Sequence, residues 1–91
     1  MDNEGWKPLI GQSVVVDTDS TFVYLGTLAR VEEYFVVVEN VDCHDSREGP
    51  STKEQYIMDA RRFGIKPNRK ETQVRKAIIV SVSRLEDILV Y

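Results

Sequence analysis

Between Ser13 and Val41 three β-rich runs follow one another with only Thr18-Asp19-Ser20 and Glu32-Glu33 between them. Connections this short join antiparallel neighbours and leave no room for the helical crossover of a parallel sheet. The first run, Ser13 to Asp17, carries Val14, Val15 and Val16. The second, Thr21 to Val31, carries Phe22, Val23, Tyr24, Leu25, Leu28 and Val31, and the third is Tyr34 to Val41. Gly26 falls in the middle of the second run, where glycine marks a sharp bend or a close backbone approach such as the corner of a small barrel. The third run is apolar on both faces over its first half. In a chain of 91 residues, a strand buried on both sides implies that one face meets another subunit.

From Asp42 to Gly49 the residues turn polar and predict a loop. Ser51 and Glu54 then have capping-box spacing, which predicts a helix over about 52–63. Tyr56, Ile57, Ala60 and Phe63 recur at helical spacing and are expected to pack on the protein's own sheet, with Gly64 ending the helix in a left-handed cap. After a basic linker, Gln73 to Ser83 regains strand character through Val74, Ile78, Ile79, Val80 and Val82. Arg75-Lys76 interrupts it, so two short strands with a tight turn are expected. Ser83 and Glu86 repeat the capping spacing, and Leu85, Ile88 and Leu89 fit one face of a short helix or an extended tail. With 42% hydrophobic and 30% charged residues, the chain reads as one folded domain over 1–91, too small for most enzyme folds. A core of this size makes oligomerisation the expectation.

Leu9-Ile10-Gly11-Gln12-Ser13-Val14-Val15-Val16 resembles the opening pattern of the Sm-like family, Leu-x-Gly followed by alternating valines. Tyr24-Leu25-Gly26-Thr27-Leu28 is similar to that family's Tyr-x-Gly-x-Leu, and Val74-Arg75-Lys76-Ala77-Ile78-Ile79-Val80-Ser81-Val82 to its Ile-Arg-Gly followed by a valine-rich last strand. The likeness runs from 9 to 83. It implies a mainly β fold: a small, strongly bent, five-stranded Sm-like (SH3-like) barrel with a helical insertion between strands 3 and 4. On this division 1–8 is a short amino-terminal segment, 42–72 the variable insertion and 84–91 a carboxy-terminal tail.

The resemblance also implies a homo-oligomeric ring of about five to seven subunits, closed by the fourth strand of one barrel pairing with the fifth of the next. Ile78, Ile79, Val80 and Val82 are the expected interface, since an apolar edge strand must be covered or paired. By the same resemblance single-stranded RNA is the expected partner, with Arg75 matching the family's arginine; Lys76 beside it adds a charge, and Tyr34 or Phe35 could stack on a base as aromatics do in single-strand binders. Charge adds Arg69 and Lys70: seven of the twelve Lys and Arg lie between 61 and 76, where Glu71 is the one acid. The sequence departs from the family at two contacts. Glu32-Glu33-Tyr34-Phe35 offers no asparagine in the first loop, and Lys76 stands where the family has glycine. These departures favour the alternative of a structural or protein-interaction scaffold that keeps the ring without the nucleotide pocket.

No catalytic residue, metal ligand or cofactor is expected. Asp17-Thr18-Asp19-Ser20-Thr21 resembles the first motif of the haloacid dehalogenase-like phosphatases, but that chemistry needs a parallel α/β sheet, and here another strand begins at once. Asp42-Cys43-His44-Asp45 sets a thiol beside an imidazole, yet adjacent residues on an extended chain point apart. One Cys and one His cannot supply a four-ligand zinc site within a chain. No run approaches a membrane span, and the acidic start Met1-Asp2-Asn3-Glu4-Gly5 is unlike a signal peptide, so the expected location is cytoplasmic.

Overall fold

The valine runs pair as their short connections require. The computed structural model describes residues 4–91; Met1, Asp2 and Asn3, on which the signal-peptide expectation partly rests, lie outside the described residues. Strands β1 (Ser13–Thr18), β2 (Phe22–Val31), β3 (Phe35–Asp45), β4 (Arg69–Arg75) and β5 (Ile79–Arg84) form one five-stranded sheet in the order β4-β3-β2-β1-β5. Every pairing is antiparallel. The sheet is mainly built from the first three strands and is open, with β4 and β5 as its edges. Among the described residues the parallel sheet that the phosphatase motif needs is not formed.

Two irregularities bend the β2–β3 pair. Leu25 pairs with Asp42 and Thr27 with Glu39, so β3 carries an extra residue opposite Gly26, and Asn40 there has φ 47°. Leu28 pairs with Val38 and Arg30 with Val37, so the next extra residue, Ala29, is on β2. Each bulge alters which residues face inward. Val36, Val38, Val41 and Cys43 thereby share one face although Val38 and Val41 are separated by an odd step. Gly26 sits under the first bulge as a close backbone approach, the role its position predicts.

The two faces have separate cores. Val14, Val16, Leu28, Val36, Val38, Val41 and Val74 cluster on one, with Ile78, Ile79 and Val82 packed against them, so all five strands contribute. On the other, Val15, Val23 and Leu25 meet Ile57 and Ala60 of helix α1 (Lys53–Phe63). Thr52, not Ser51, caps this helix: its hydroxyl accepts from the Gln55 N–H at 3.1 Å. Gly64, at φ 97°, ends it. Of the helical stripe, Ile57 and Ala60 are buried, Tyr56 is half-buried, and Phe63, the last residue of the helix, is 71% exposed. Ile57→Ala is therefore expected to cost about 2–4 kcal/mol in urea denaturation. Phe63→Ala should change stability by less than ~0.5 kcal/mol.

Several boundaries differ from the sequence reading. β3 continues through Asp42-Cys43-His44-Asp45 instead of opening a loop, and β4 begins at Arg69 within the expected linker, so the segment between them is 46–68. Asn68 makes this possible: its side chain accepts from the Cys43 N–H and donates to the Cys43 carbonyl, both at 3.0 Å, imitating a strand neighbour. After Arg84 a single 3₁₀ turn, Leu85–Asp87, is followed by a tail without helix or strand, so of the two alternatives the capped helix is not formed and Ser83 makes no cap. Leu85 and Ile88 pack beneath α1, whereas Leu89 is exposed. Before β1, the one helical element among the described residues is a 3₁₀ turn, Lys7–Leu9. Among the described residues no helix is long and apolar enough to cross a membrane.

Candidate nucleic-acid interface

The β2–β3 turn and the end of β4 meet at one corner. Phe35 pairs with Arg75 across the β3–β4 ladder. The Lys76 N–H donates to the Tyr34 carbonyl at 2.9 Å, at the start of a 3₁₀ turn, Lys76–Ile78, that connects β4 to β5. Four of the six residues expected to bind RNA are thus neighbours. Tyr34 is 69% exposed, Arg75 is exposed, and Phe35 and Lys76 are half-buried. A ring free to stack beside cationic side chains is what a single-stranded nucleic acid requires.

Arg69 and Lys70 are not part of this corner. They open β4, six residues before Arg75, which at the rise of a strand is about 20 Å away. Arg69, Lys70 and Arg75 are exposed and form no ion pair among the described residues. The basic window is therefore two positions on one edge strand and not a single patch. Acid also borders the corner: Glu32 and Glu33 precede Tyr34, and Arg30 is tied to Glu32 at 3.1 Å and Glu71 at 3.8 Å.

The expected oligomer interface is divided as well. Ile78, Ile79 and Val82 are half-buried against their own core, Ile78 from the 3₁₀ turn and Ile79 and Val82 from β5. Val80 is 61% exposed. Between Asp17↔Ser81 and Thr18↔Ile79 the register shifts by one on β5, and the residue left over is Val80, which turns out.

A polar cluster that sequence reasoning missed joins β3 to α1. The Tyr56 hydroxyl donates to Asp42 Oδ2 at 2.5 Å. The His44 ring stacks flat on Tyr56, with centroids 3.5 Å apart and planes 2° apart. His44 Nε2 is buried and has no hydrogen-bond partner among the described residues. Cys43 faces the other way, its Sγ 3.4 Å from Thr72 Oγ1, so thiol and imidazole are separated by the strand as their adjacency predicts. The alternation of Asp42 and His44, two apart on one strand face, was the available signal. Nearby, hydrogen bonds from the Arg47 side chain and N–H hold the Asp45 carboxyl well below the usual carboxylate range. At the first residue of α1, Lys53 Nζ donates to Asp17 Oδ1 at 2.7 Å and to the Thr18 and Ser20 carbonyls at 3.1 and 2.8 Å. Asp17 thereby anchors the helix to the hairpin turn. Among the described residues no group of three or more His, Cys, Asp and Glu is placed to hold a metal ion.

Burial, and then the bond to Asp42, pushes the Tyr56 hydroxyl from its ordinary value near 10 up to about 12. Between these values the folded protein keeps a proton that the unfolded chain has lost, so stability falls as pH rises through that window. Urea midpoints across it should decline less steeply in Tyr56→Phe than in the parent. Equal slopes would mean that Tyr56 ionises as it does in the unfolded chain.

Compared with known protein families and with curated proteins, the chain matches no family model and no curated protein.

Proposed function

We propose that the protein is a non-enzymatic, Sm-like subunit that assembles edge to edge into a homo-oligomeric ring and binds single-stranded RNA at the Tyr34, Phe35, Arg75 and Lys76 corner. The observation that carries this reading is the strand order, which leaves β4 and β5 as the two edges of one sheet. Each edge has backbone groups without a strand neighbour, and pairing β4 of one copy with β5 of the next repeats head to tail until a ring closes. In this reading the bent sheet, whose five strands share one core, takes the place of the family's small barrel. A cytoplasmic location accords with Cys43, which is a free thiol.

The test of the nucleic-acid part is the salt dependence of binding. Log affinity for single-stranded RNA should fall with log salt at a slope of about 0.7 per neutralised phosphate. Serine at both Arg75 and Lys76 should lower that slope by ~1.4, and serine at both Arg69 and Lys70 by a similar, separate ~1.4, because the pairs lie apart. No binding of any RNA at ~50 mM salt would end the RNA reading. One observation favours the scaffold instead: Glu32 and Glu33 flank the exposed Tyr34, which lowers the local potential for phosphate. In that case the ring forms and RNA does not bind.

A further inference from the structure

A cleft of about 290 Å³ lies between α1 and β3, lined by Asp42, Ser51, Tyr56, Asp59, Phe63 and Lys66 among others. Its floor is unusual in charge. Asp42 is only 5% exposed, yet it forms no ion pair among the described residues. Its Oδ2 is taken by Tyr56, while Oδ1 has a single long contact, 3.4 Å, from Asn68 Nδ2. Buried carboxylates are ordinarily paired with a cation or a metal. Here the protein supplies only neutral donors, Tyr56 and Asn68, to a carboxylate that lines the cleft. Asp59 adds a second carboxylate, held by Gln55 Nε2 at 2.9 Å. Lys66 on the lining offsets one of the two acidic charges. Phe63 contributes an exposed aromatic ring that already accepts a guanidinium, with Arg62 Cζ 5.8 Å from its centroid.

We propose that this cleft is a binding site for a guanidinium group, which supplies the counter-charge that Asp42 lacks. A guanidinium fits better than an ammonium because its flat fork can donate to two carboxylate oxygens at once, because its plane can lie on an aromatic ring such as Phe63, and because it loses less hydration on burial. The site is separate from the Tyr34 corner and does not depend on RNA or on assembly.

The test is a titration of isotope-labelled protein with arginine amide at constant ionic strength, read from backbone amide shifts. Lysine amide and norleucine amide serve as comparisons. Arginine amide should produce saturable shifts at Asp42, Ser51, Tyr56 and Asp59 in the millimolar range, with lysine amide about fivefold weaker and norleucine amide without effect. Asp42→Asn should abolish the response. Since a buried substitution can disturb folding, Phe63→Ala at an exposed position and Asp59→Asn provide independent readings, each expected to weaken binding about three- to tenfold. Serine at Arg75 and Lys76 should leave it unchanged. A capped Gly-Arg-Gly peptide binding about tenfold tighter than arginine amide assigns the site to an arginine side chain, and equal binding assigns it to a free guanidinium compound. The proposal is overturned by the absence of saturable shifts up to ~20 mM arginine amide. It is equally overturned by binding that Phe63→Ala and Asp59→Asn both leave intact.

Discussion

Gly26→Ala is expected to lower stability by about 3 kcal/mol, the cost of forcing atoms into a packed interior. A Cβ at this position would lie 2.7 Å from the Glu39 carbonyl oxygen, 2.7 Å from Val38 Cγ1 and 3.0 Å from Val41 Cα. Two of the three are backbone atoms of the bulged strand, which cannot rotate away. In a domain of this size the melting temperature should drop by roughly 15 °C. Gly5→Ala is the control, since a Cβ there meets nothing within 4 Å, and it should shift stability by less than ~0.5 kcal/mol. Equal melting curves for the parent and Gly26→Ala would mean that the β2–β3 corner relaxes without cost.

Val80→Asp is expected to convert the proposed ring into monomers while leaving each subunit folded. Val80 is 61% exposed and borders a groove of about 350 Å³ formed with Trp6, Leu9, Ile79 and Val82. A carboxylate there should barely alter the melting of an isolated subunit. Covered by a neighbouring strand, it costs several kcal/mol at every interface. Ile79 is the wrong place for the same experiment, because its side chain packs in its own core and a charge would unfold the subunit. Native mass spectrometry at micromolar concentration distinguishes the outcomes. A parent protein that is already monomeric removes the basis for the ring, and an aspartate variant that stays assembled removes β5 from the interface.

Much of the sheet was legible in the sequence because its first three strands are short apolar runs with turn residues between them. The structure places them as expected, and Gly26 at the bend. The missed parts are polar strand segments whose partners lie far along the chain. Asp42, Cys43 and His44 look like loop residues until Tyr56, Thr72 and Asn68 are set beside them. Arg69, Lys70 and Glu71 read as linker because an edge strand exposed to water can carry charge where a central one cannot. Phe63 has the right spacing for the core, and no local pattern reveals that the last residue of the helix is left in solvent. For the candidate interface, the Arg75-Lys76 motif and the aromatic turn were readable, and the structure brings them together. The separation of Arg69 and Lys70 from that corner depends on where β4 begins, which charge counting does not register. Val80 could not be told from Ile79 and Val82, since a one-residue bulge leaves no mark in an apolar run.

The two extra residues in the β2–β3 pair behave like a frameshift and its suppressor. Pairing from Phe22↔Asp45 to Leu25↔Asp42 and from Arg30↔Val37 to Val31↔Val36 follows a single register, and only Thr27↔Glu39 and Leu28↔Val38 are offset from it by one. Asn40 shifts the frame on one strand and Ala29 restores it on the other. A lineage that lost either residue alone would point the wrong side chains at the core along the rest of the hairpin. One that lost both would recover the outer pairing as a plain, straighter ribbon, so these two positions are expected to be gained or lost together.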